Sequence, residues 1–248
     1  MEIFDLISGK YTVLCERTSC REKVCGSCDT FKSFIRISDQ DWRLPEILSH
    51  TLPKDSIFPV FWIRHSQSHN WKIPPEVLKL TRKFYLFKDG EMAYAYPFAL
   101  GIYEKLRMRG EIAYDLITPI PLSPDKVHKG EPHRTKKLAE ELGNLLSVPV
   151  KELLSLKKPI SKRCMKKDDP TLRKFREKFE ELLSVEDLEL GKWKVLLVDD
   201  ILTTGSTVSV AIKKLKNSVP GIEIKVATIG LFIVKDLVQD CSSFVDSD

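Results

Sequence analysis

One stretch of the chain combines acids, hydroxyls and a glycine in an order that suits a sugar phosphate. Residues 195–208 read Val-Leu-Leu-Val-Asp-Asp-Ile-Leu-Thr-Thr-Gly-Ser-Thr-Val. The apolar run predicts a buried strand that ends in Asp199 and Asp200, and the pattern after Gly205 predicts a helix. Because ligands of open α/β sheets bind at the carboxyl ends of strands, this stretch predicts a ligand site.

The hydroxyl-rich part of the stretch suits a phosphate monoester. Glycine allows the backbone to turn sharply, and the free N–H groups at the start of a helix favour an anion. The residues that we call the phosphate loop are Thr203, Thr204, Gly205, Ser206 and Thr207. Two carboxylates would repel a phosphate, so Asp199 and Asp200, the acid pair, suit a neighbouring part of the same ligand. Vicinal sugar hydroxyls, which donate hydrogen bonds, match them.

Two simpler interpretations of the stretch explain less. A nucleotide-binding P-loop would place a lysine directly after its second glycine, whereas Ser206 follows Gly205 here. A plain helix cap needs one hydroxyl and one acid. Two acids followed by a T-T-G-S-T run exceed that need, so the sequence favours a ligand site.

A second group of chemically active residues lies near the N-terminal end of the sequence. Cys15, Cys20, Cys25 and Cys28 follow a C-x4-C-x4-C-x2-C spacing. Tetrahedral Zn²⁺ accepts four thiolates, and a C-x-x-C pair can supply two of them from one tight turn. We therefore expect a structural zinc. An iron–sulfur cluster and four free thiols stay open as alternatives.

Charge is concentrated in one segment. Forty Lys and Arg residues and 35 Asp and Glu residues leave a net charge of +5. Residues 157–167 hold six basic side chains and no acid. Such a run favours an anionic ligand, either a phosphate or a nucleic acid, while a solvated loop rich in lysine would look the same.

Composition limits the class of protein. The chain has 248 residues, of which 42% are hydrophobic and 30% are charged. These values favour a folded domain over a disordered chain or a coiled-coil rod. The longest apolar run, residues 226–234, is far shorter than a bilayer span. The first residues, MEIFDL, carry two acids and no basic segment, so we expect no signal peptide, no membrane span and a cytoplasmic location.

The elements that must position these residues alternate between strand and helix, which predicts an α/β fold with a parallel sheet and helices on both faces. Hydrophobic patterning predicts strands at 31–37, 57–63, 83–87, 114–118, 194–198 and 222–234, and helices at 91–108, 133–147, 171–183 and 207–217. We divide the chain into a strand-rich N-terminal metal module at 1–81, an α/β domain at 82–240 and an acidic tail at 241–248.

Residues 195–207 resemble the phosphoribosyl-pyrophosphate (PRPP) signature of type I phosphoribosyltransferases. The resemblance implies the type I phosphoribosyltransferase fold for residues 82–240. It implies that the acid pair binds the ribose 2′ and 3′ hydroxyls and that the phosphate loop binds the 5′-phosphate. It further implies glycosyl transfer from PRPP with release of pyrophosphate, with Mg²⁺ bound to the pyrophosphate.

Other segments resemble the ComF subgroup of that superfamily, competence-associated proteins with an N-terminal cysteine module. Residues 87–90 read Phe-Lys-Asp-Gly and residues 115–122 read Asp-Leu-Ile-Thr-Pro-Ile-Pro-Leu, like that subgroup's lysine-glycine segment and P-V-P-L strand end. Where the subgroup continues with R-G-F-N-Q, residues 129–134 read Lys-Gly-Glu-Pro-His-Arg. By charge, Lys126, Lys129 and Arg134 suit the pyrophosphate, although surface cations would look alike.

The ComF resemblance leaves two functions open. The first is a phosphoribosyltransferase whose basic segment 157–167 forms a hood over the active site. The second is a non-catalytic module that binds a nucleotide or DNA during DNA uptake or processing. In that case residues 157–167 would contact single-stranded DNA. A homodimer is compatible with both.

Overall fold

The computed structural model describes residues 37, 46–64, 75–160, 170–186 and 191–232. We number the helices and strands over these residues. The helices are α1 (Glu46–Ser49), α2 (Pro75–Lys88), α3 (Ala95–Met108), α4 (Pro124–His128), α5 (Arg134–Leu146), α6 (Pro170–Leu182) and α7 (Ser206–Ser218). The strands are β1 (Ile57–Ile63), β2 (Leu116–Pro119), β3 (Leu154–Leu156), β4 (Leu183–Val185), β5 (Lys194–Leu202) and β6 (Glu223–Phe232).

A four-stranded parallel sheet forms the centre of the described fold. Its strand order is β1-β6-β5-β2, and every neighbouring pair is parallel. All seven residues of β1 and all four of β2 are buried, as expected for strands covered on both faces. The predicted parallel sheet is therefore confirmed. A separate antiparallel pair joins β3 to β4.

Helices flank this sheet. Helix α3 packs against β1 and β6, and α5 packs against β2, β5 and α3. Their fully buried residues include Phe98, Ile102, Leu138 and Leu142. Helix α7, which follows β5, packs against α6 and α1. The core therefore surrounds β5 and β6, the strands that hold the acid pair and its neighbours.

The strand predicted at residues 83–87 is wrong, because these residues belong to helix α2. Val77, Leu80, Phe84 and Phe87 are all buried, and their spacing places them on one helical face. A five-residue window around Phe84 contains too little of that period to distinguish a helix from a strand. The first residues of this helical pattern, Val77 and Leu80, lie in the range 1–81, which the sequence analysis assigns to the N-terminal module.

The domain boundary predicted between residues 81 and 82 falls inside α2. Strand β1, also on the N-terminal side of that boundary, pairs with β6 along the central sheet. Residues 57–63 and 75–81 are thus part of the sheet domain. The cysteines at 15–28 and the tail at 241–248 lie outside the described residues, as does all of the strand predicted at 31–37 except Ile37.

None of the helices in the described ranges is long and apolar enough to cross a membrane.

Candidate functional site

The acid pair lies on β5 directly after the point where the neighbouring strand β2 ends, opposite Val198. Both carboxylates are half-buried, and the Asp200 N–H donates a hydrogen bond of 2.8 Å to Asp199 Oδ1. The Asp200 carboxylate makes no ion pair or hydrogen bond with any residue in the described ranges. Next to it, the Ile120 N–H donates to the Val198 carbonyl at 2.9 Å. This bond places the segment after β2 beside the acid pair.

The phosphate loop turns sharply between β5 and α7. Gly205 caps α7 with a φ of +73°, a conformation that favours glycine. The Thr204 and Ser206 hydroxyls are 2.9 Å apart, and the Ser206 N–H donates to Thr204 Oγ1 at 3.4 Å. A Cβ atom on Gly205 would approach the Leu48 side chain to 2.6 Å. The loop is therefore held from within by hydroxyls and from behind by α1.

A cleft of about 310 Å³ opens between the phosphate loop and the segment after β2. This volume lies at the lower end of the range for small-molecule sites. Predicted site residues line it on both sides: Asp199, Asp200, Thr203 and Thr207 on one, and Lys126 and Arg134 on the other. The other lining residues are Lys88, Ile120, Pro121, Leu122, Ser123, Thr135, Ile201 and Phe232.

The two predicted cations in the cleft differ in their partners. The Arg134 Nε is buried, and no residue in the described part of the chain accepts a hydrogen bond from it. Lys126 forms an ion pair of 3.3 Å with Glu131, and both side chains are about one-third exposed. Such exposed pairs contribute little stability, so a stronger anion can replace Glu131. Arg134 and Lys126 can thus both receive an anionic ligand.

Four predicted site residues do not line the cleft. Lys129 is exposed at the end of α4 and does not reach it. Thr204, Gly205 and Ser206 form the turn behind Thr203, and Ser206 is only 1% exposed. Their part in the site is the shape of the loop, together with the backbone N–H groups at the start of α7.

His133, which sequence reasoning did not single out, holds one wall of the cleft. The Leu122 N–H donates to its Nε2 at 3.2 Å, the Lys136 N–H donates to its Nδ1 at 3.2 Å, and Nδ1 also lies 3.1 Å from Thr135 Oγ1. The Thr135 hydroxyl in turn donates to the Ile120 carbonyl at 2.7 Å. Burial lowers the pKa of His133, although the nearby Glu152 opposes this effect. A neutral ring therefore joins the start of α5 to the segment after β2.

Lys88 and Phe232 also line the cleft without having been assigned a role. Lys88 ends α2, with its Nζ 5.5 Å from the centre of the Phe84 ring, and Phe232 ends β6. Phe232 lies within the strand predicted at 222–234, but the pairing of that strand with β5 could not be predicted from the sequence. Lys88 had a signal in the sequence, because it lies in the Phe-Lys-Asp-Gly segment. The helix that carries it was predicted as a strand.

Other predicted sites lie partly or wholly outside the described residues. Lys157 and Lys158 of the basic segment are exposed, and residues 161–167 are not described. The four cysteines of the predicted zinc site are likewise not described. Within the described ranges, no group of three or more His, Cys, Asp or Glu side chains could hold a metal ion.

Comparison with known proteins found similarity to solved structures and to nothing else. Neither a family model nor a curated protein sequence matches the chain. An adenine phosphoribosyltransferase from Leishmania tarentolae is 15% identical with a TM-score of 0.35, over 60% of this chain and 74% of that one. A purine phosphoribosyltransferase from Pyrococcus horikoshii is 18% identical with a TM-score of 0.32, over 55% and 79%. The Saccharomyces cerevisiae adenine phosphoribosyltransferase is 15% identical with a TM-score of 0.32, over 67% and 78%.

Proposed function

We propose that the cleft binds PRPP, or a nucleotide with a ribose 5-phosphate, and that the protein transfers the phosphoribosyl group with release of pyrophosphate. One observation carries this proposal. The acid pair and the phosphate loop line one side of a single cleft, and the cations Lys88, Lys126 and Arg134 line it from other elements. Hydroxyl acceptors, a phosphate cradle and an array of cations match the three parts of PRPP.

The ribose phosphate would lie along β5 and the phosphate loop. Backbone N–H groups at the start of α7 and the hydroxyls of Thr203 and Thr207 would donate hydrogen bonds to the 5′-phosphate. The Asp200 carboxylate, which has no partner among the described residues, would accept hydrogen bonds from the ribose. Asp199 Oδ1 already accepts the Asp200 N–H, which fixes that side chain in place.

The cations would stabilise the leaving group. In the reaction the bond between C1 of the ribose and the pyrophosphate oxygen breaks, and a bond from a base nitrogen to C1 forms. That nitrogen then loses a proton. Negative charge grows on the pyrophosphate, and Arg134, Lys126 and Lys88 are placed to neutralise it. The catalytic effect would come from positioning and charge, without a covalent intermediate on the protein.

The donor atoms of the cleft suit Mg²⁺ as a companion of the substrate. Mg²⁺ prefers oxygen ligands and is often held by one or two carboxylates together with substrate phosphates. Asp199 and Asp200 are the carboxylates that line the cleft. When bound, Mg²⁺ would neutralise charge on the pyrophosphate.

Pyrophosphate release tests this proposal. Purified protein would be incubated with PRPP and Mg²⁺ and with each of a panel of purine and pyrimidine bases. We expect release with at least one base, and loss of release when Arg134 is replaced by Gln. Lys129→Gln is the matched control, because Lys129 belongs to the same basic group and does not line the cleft. Absence of release with every base would refute the proposed transfer reaction, and absence of PRPP binding would refute the proposed ligand of the cleft as well.

A DNA-binding module is the second candidate, and the cluster of six basic residues at 157–167 favours it. For a groove that contacts four to six phosphates of single-stranded DNA, the logarithm of the binding constant falls with the logarithm of the salt concentration with a slope of roughly −3 to −4. Replacement of Lys162, Arg163, Lys166 and Lys167 by Ala should abolish such binding and spare binding of PRPP. Salt-resistant binding after this change would place a DNA site elsewhere.

We also propose that the chain is ComF-like, with one zinc held by Cys15, Cys20, Cys25 and Cys28. The spacing of the four cysteines supports this proposal. Metal analysis of the purified protein should find about one zinc per chain, and Cys25→Ser should lower that content. Iron with visible absorbance would indicate the alternative cluster.

A further inference from the structure

A second and larger groove lies behind the phosphate loop. Its volume is about 760 Å³, within the range of small-molecule sites. It is formed by the end of α1 and by facing parts of α6 and α7. The residues that line it are His50, Thr51, Arg173, Arg176, Glu177, Glu180, Ser209, Val210 and Lys213. Apart from Val210, every one of these side chains is polar or charged.

Two of the three Arg and Lys side chains in this groove are already neutralised. Arg173 Nε is 2.9 Å from Glu177 Oε1, one turn away on α6. Lys213 Nζ is 2.7 Å from Glu180 Oε1, and this pair joins α7 to α6. These two ion pairs use both acids of the groove. The charge that is left over belongs to Arg176.

Arg176 lines the same groove and makes no ion pair or hydrogen bond with any residue that the structure describes. Its Nε is buried. A buried donor without an acceptor is unfavourable, and for a charged group the effect is larger. The guanidinium therefore favours the arrival of an anion. Its planar set of donors matches the oxygens of a phosphate or a carboxylate.

We propose that this groove is a second anion site, separate from the cleft, and that it binds the phosphate group of a small phosphate monoester through Arg176. Glu177 and Glu180, the two acids of the groove, form their ion pairs with Arg173 and Lys213 rather than with Arg176. The volume leaves space for more than a phosphate ion, which favours a ligand of nucleotide size. Thr51 and Ser209 add hydroxyls to the lining of the groove.

The groove shares two elements with the phosphate loop. Ser209, which lines the groove, donates its backbone N–H to the Gly205 carbonyl at 2.8 Å. His50 and Thr51 immediately follow α1, whose Leu48 contacts the same glycine from behind. A ligand in the groove would thus contact α7 at Ser209 and the residues after α1, which are the two elements beside the phosphate loop.

The Nε–H signal of Arg176 in ¹⁵N-edited NMR spectra tests the proposal on the full-length wild-type chain. The probes are AMP, inorganic phosphate and adenosine. We expect AMP and phosphate to shift this signal and adenosine to leave it unchanged. A tighter response to AMP would identify a nucleotide as the ligand, and an equal response would identify free phosphate. No shift with AMP or phosphate, or an equal shift with adenosine, would overturn the proposal.

Calorimetric titration of variants with AMP gives a second test, carried out with PRPP and Mg²⁺ at saturating concentration so that AMP does not enter the cleft. Arg176→Gln should weaken binding at the groove by at least about tenfold, since a charge-assisted bidentate contact is lost. Arg173→Gln is the matched control, because that arginine is exposed and paired with Glu177. The affinity of this variant for AMP should stay near that of the wild type. Equal losses in both variants would overturn the proposal.

The cleft and the groove can be tested separately. Arg134→Gln removes a cation of the cleft and should leave the AMP response of the Arg176 Nε–H intact. Should the chain release no pyrophosphate from PRPP while Arg176 still responds to AMP, the proposed function fails and the second site stands. Should the chain release pyrophosphate from PRPP while Arg176 does not respond to AMP or phosphate, the second site fails and the proposed function stands.

Discussion

At the amino end of the parallel sheet, Glu111 bridges Lys194 and Lys225 with ion pairs of 2.9 and 3.2 Å. At the carboxyl end, the Asp200 carboxylate and the Arg134 Nε have no partner among the described residues. Both ends thus carry acids and bases of similar number. They differ in whether the charges are used within the protein.

Charges at the amino end hold neighbouring segments together. The Lys194 N–H donates to Asp115 Oδ2 at 2.7 Å, and Lys194 Nζ lies 5.1 Å from the centre of the Tyr114 ring. Burial would raise the pKa of Glu111, yet the hydrogen bonds and charges of Lys194 and Lys225 outweigh it and lower that pKa. These contacts join the start of β5 to the segment before β2 and to β6.

The difference separates charges that stabilise the fold from charges that await a ligand. A half-buried charge with a partner contributes to folding, whereas one without a partner reduces stability until a ligand arrives. Ion-pair geometry, more than residue type, therefore distinguishes the two ends. Variants at the two ends test this distinction, and variants at Gly205 and His133 test how the cleft is supported.

The largest expected effect comes from neutralising the acid pair. Asp199→Asn with Asp200→Asn should lower pyrophosphate release on the order of 10²-fold, because the ribose would lose the contacts that orient it. Stability should stay the same or rise, since two adjacent carboxylates repel each other. Pyrophosphate assays and urea unfolding of the same samples measure both quantities. A double variant that unfolds easily would instead make the acid pair a structural cap.

The position of the acid pair could be predicted from the sequence because its signals are local. The run Val195–Val198, the two acids and the residues around Gly205 are contiguous, and they predict α7 and the start of β5, although β5 continues through the acid pair to Leu202. Periodicity also predicted α5, α6 and β6 to within two residues over the described ranges, and it placed the start of α3 four residues too early. Strand patterning located β1, but its place beside β6 depends on contacts between distant residues.

The opposite wall of the cleft could be predicted only by charge. Arg134 and Lys126 reach the cleft because β2 pairs with β5 and because His133 accepts the Leu122 N–H. Neither contact is visible in a linear sequence. Lys129, which has the same charge and lies three residues from Lys126, does not reach the cleft. The conformation of the turn after α4 determines which of the two lysines reaches the cleft, and the helix and strand propensities of the residues do not predict that conformation.

A change at the amino end of the sheet should lower stability and leave PRPP binding intact, the opposite of what we expect for the acid-pair variant. Glu111→Gln removes the carboxylate that bridges Lys194 and Lys225, and it leaves Lys225, whose side chain is 13% exposed, with the longer ion pair of 3.8 Å to Glu223. We expect a loss of about 1–3 kcal/mol in the free energy of unfolding, measured with urea. Binding of PRPP, measured by calorimetry, should not change. Weakened PRPP binding with unaltered stability would erase the contrast between the two ends.

Glycine substitutions give a smaller effect and a matched pair. Gly205 and Gly110 have similar φ values of +73° and +69°, so Ala at either position meets the same backbone strain of about 1–2 kcal/mol. Only at Gly205 would the new Cβ contact a neighbour, the Leu48 side chain at 2.6 Å, whereas Gly110 has open space. Gly205→Ala should therefore unfold at lower urea concentration than Gly110→Ala and should also weaken PRPP binding. Equal midpoints would show that α1 does not support the loop.

The smallest expected effect is the pH dependence due to His133, which belongs to neither charged end and supports the cleft as a neutral ring. Burial lowers its pKa in the folded protein, so below about pH 6.5 the unfolded chain binds more protons than the folded one. Stability should therefore fall as the pH falls through 6.5, with a slope of at most about 1.4 kcal/mol per pH unit. His133→Gln should show a flatter profile in urea unfolding at pH 7.5, 6.5 and 5.5. Protonation places ring N–H groups against the backbone N–H groups of Leu122 and Lys136, which the neutral ring faces, so affinity for PRPP should fall over the same range by more in the wild type than in the variant. A variant whose unfolding profile parallels that of the wild type would mean that His133 titrates as it does in the unfolded chain.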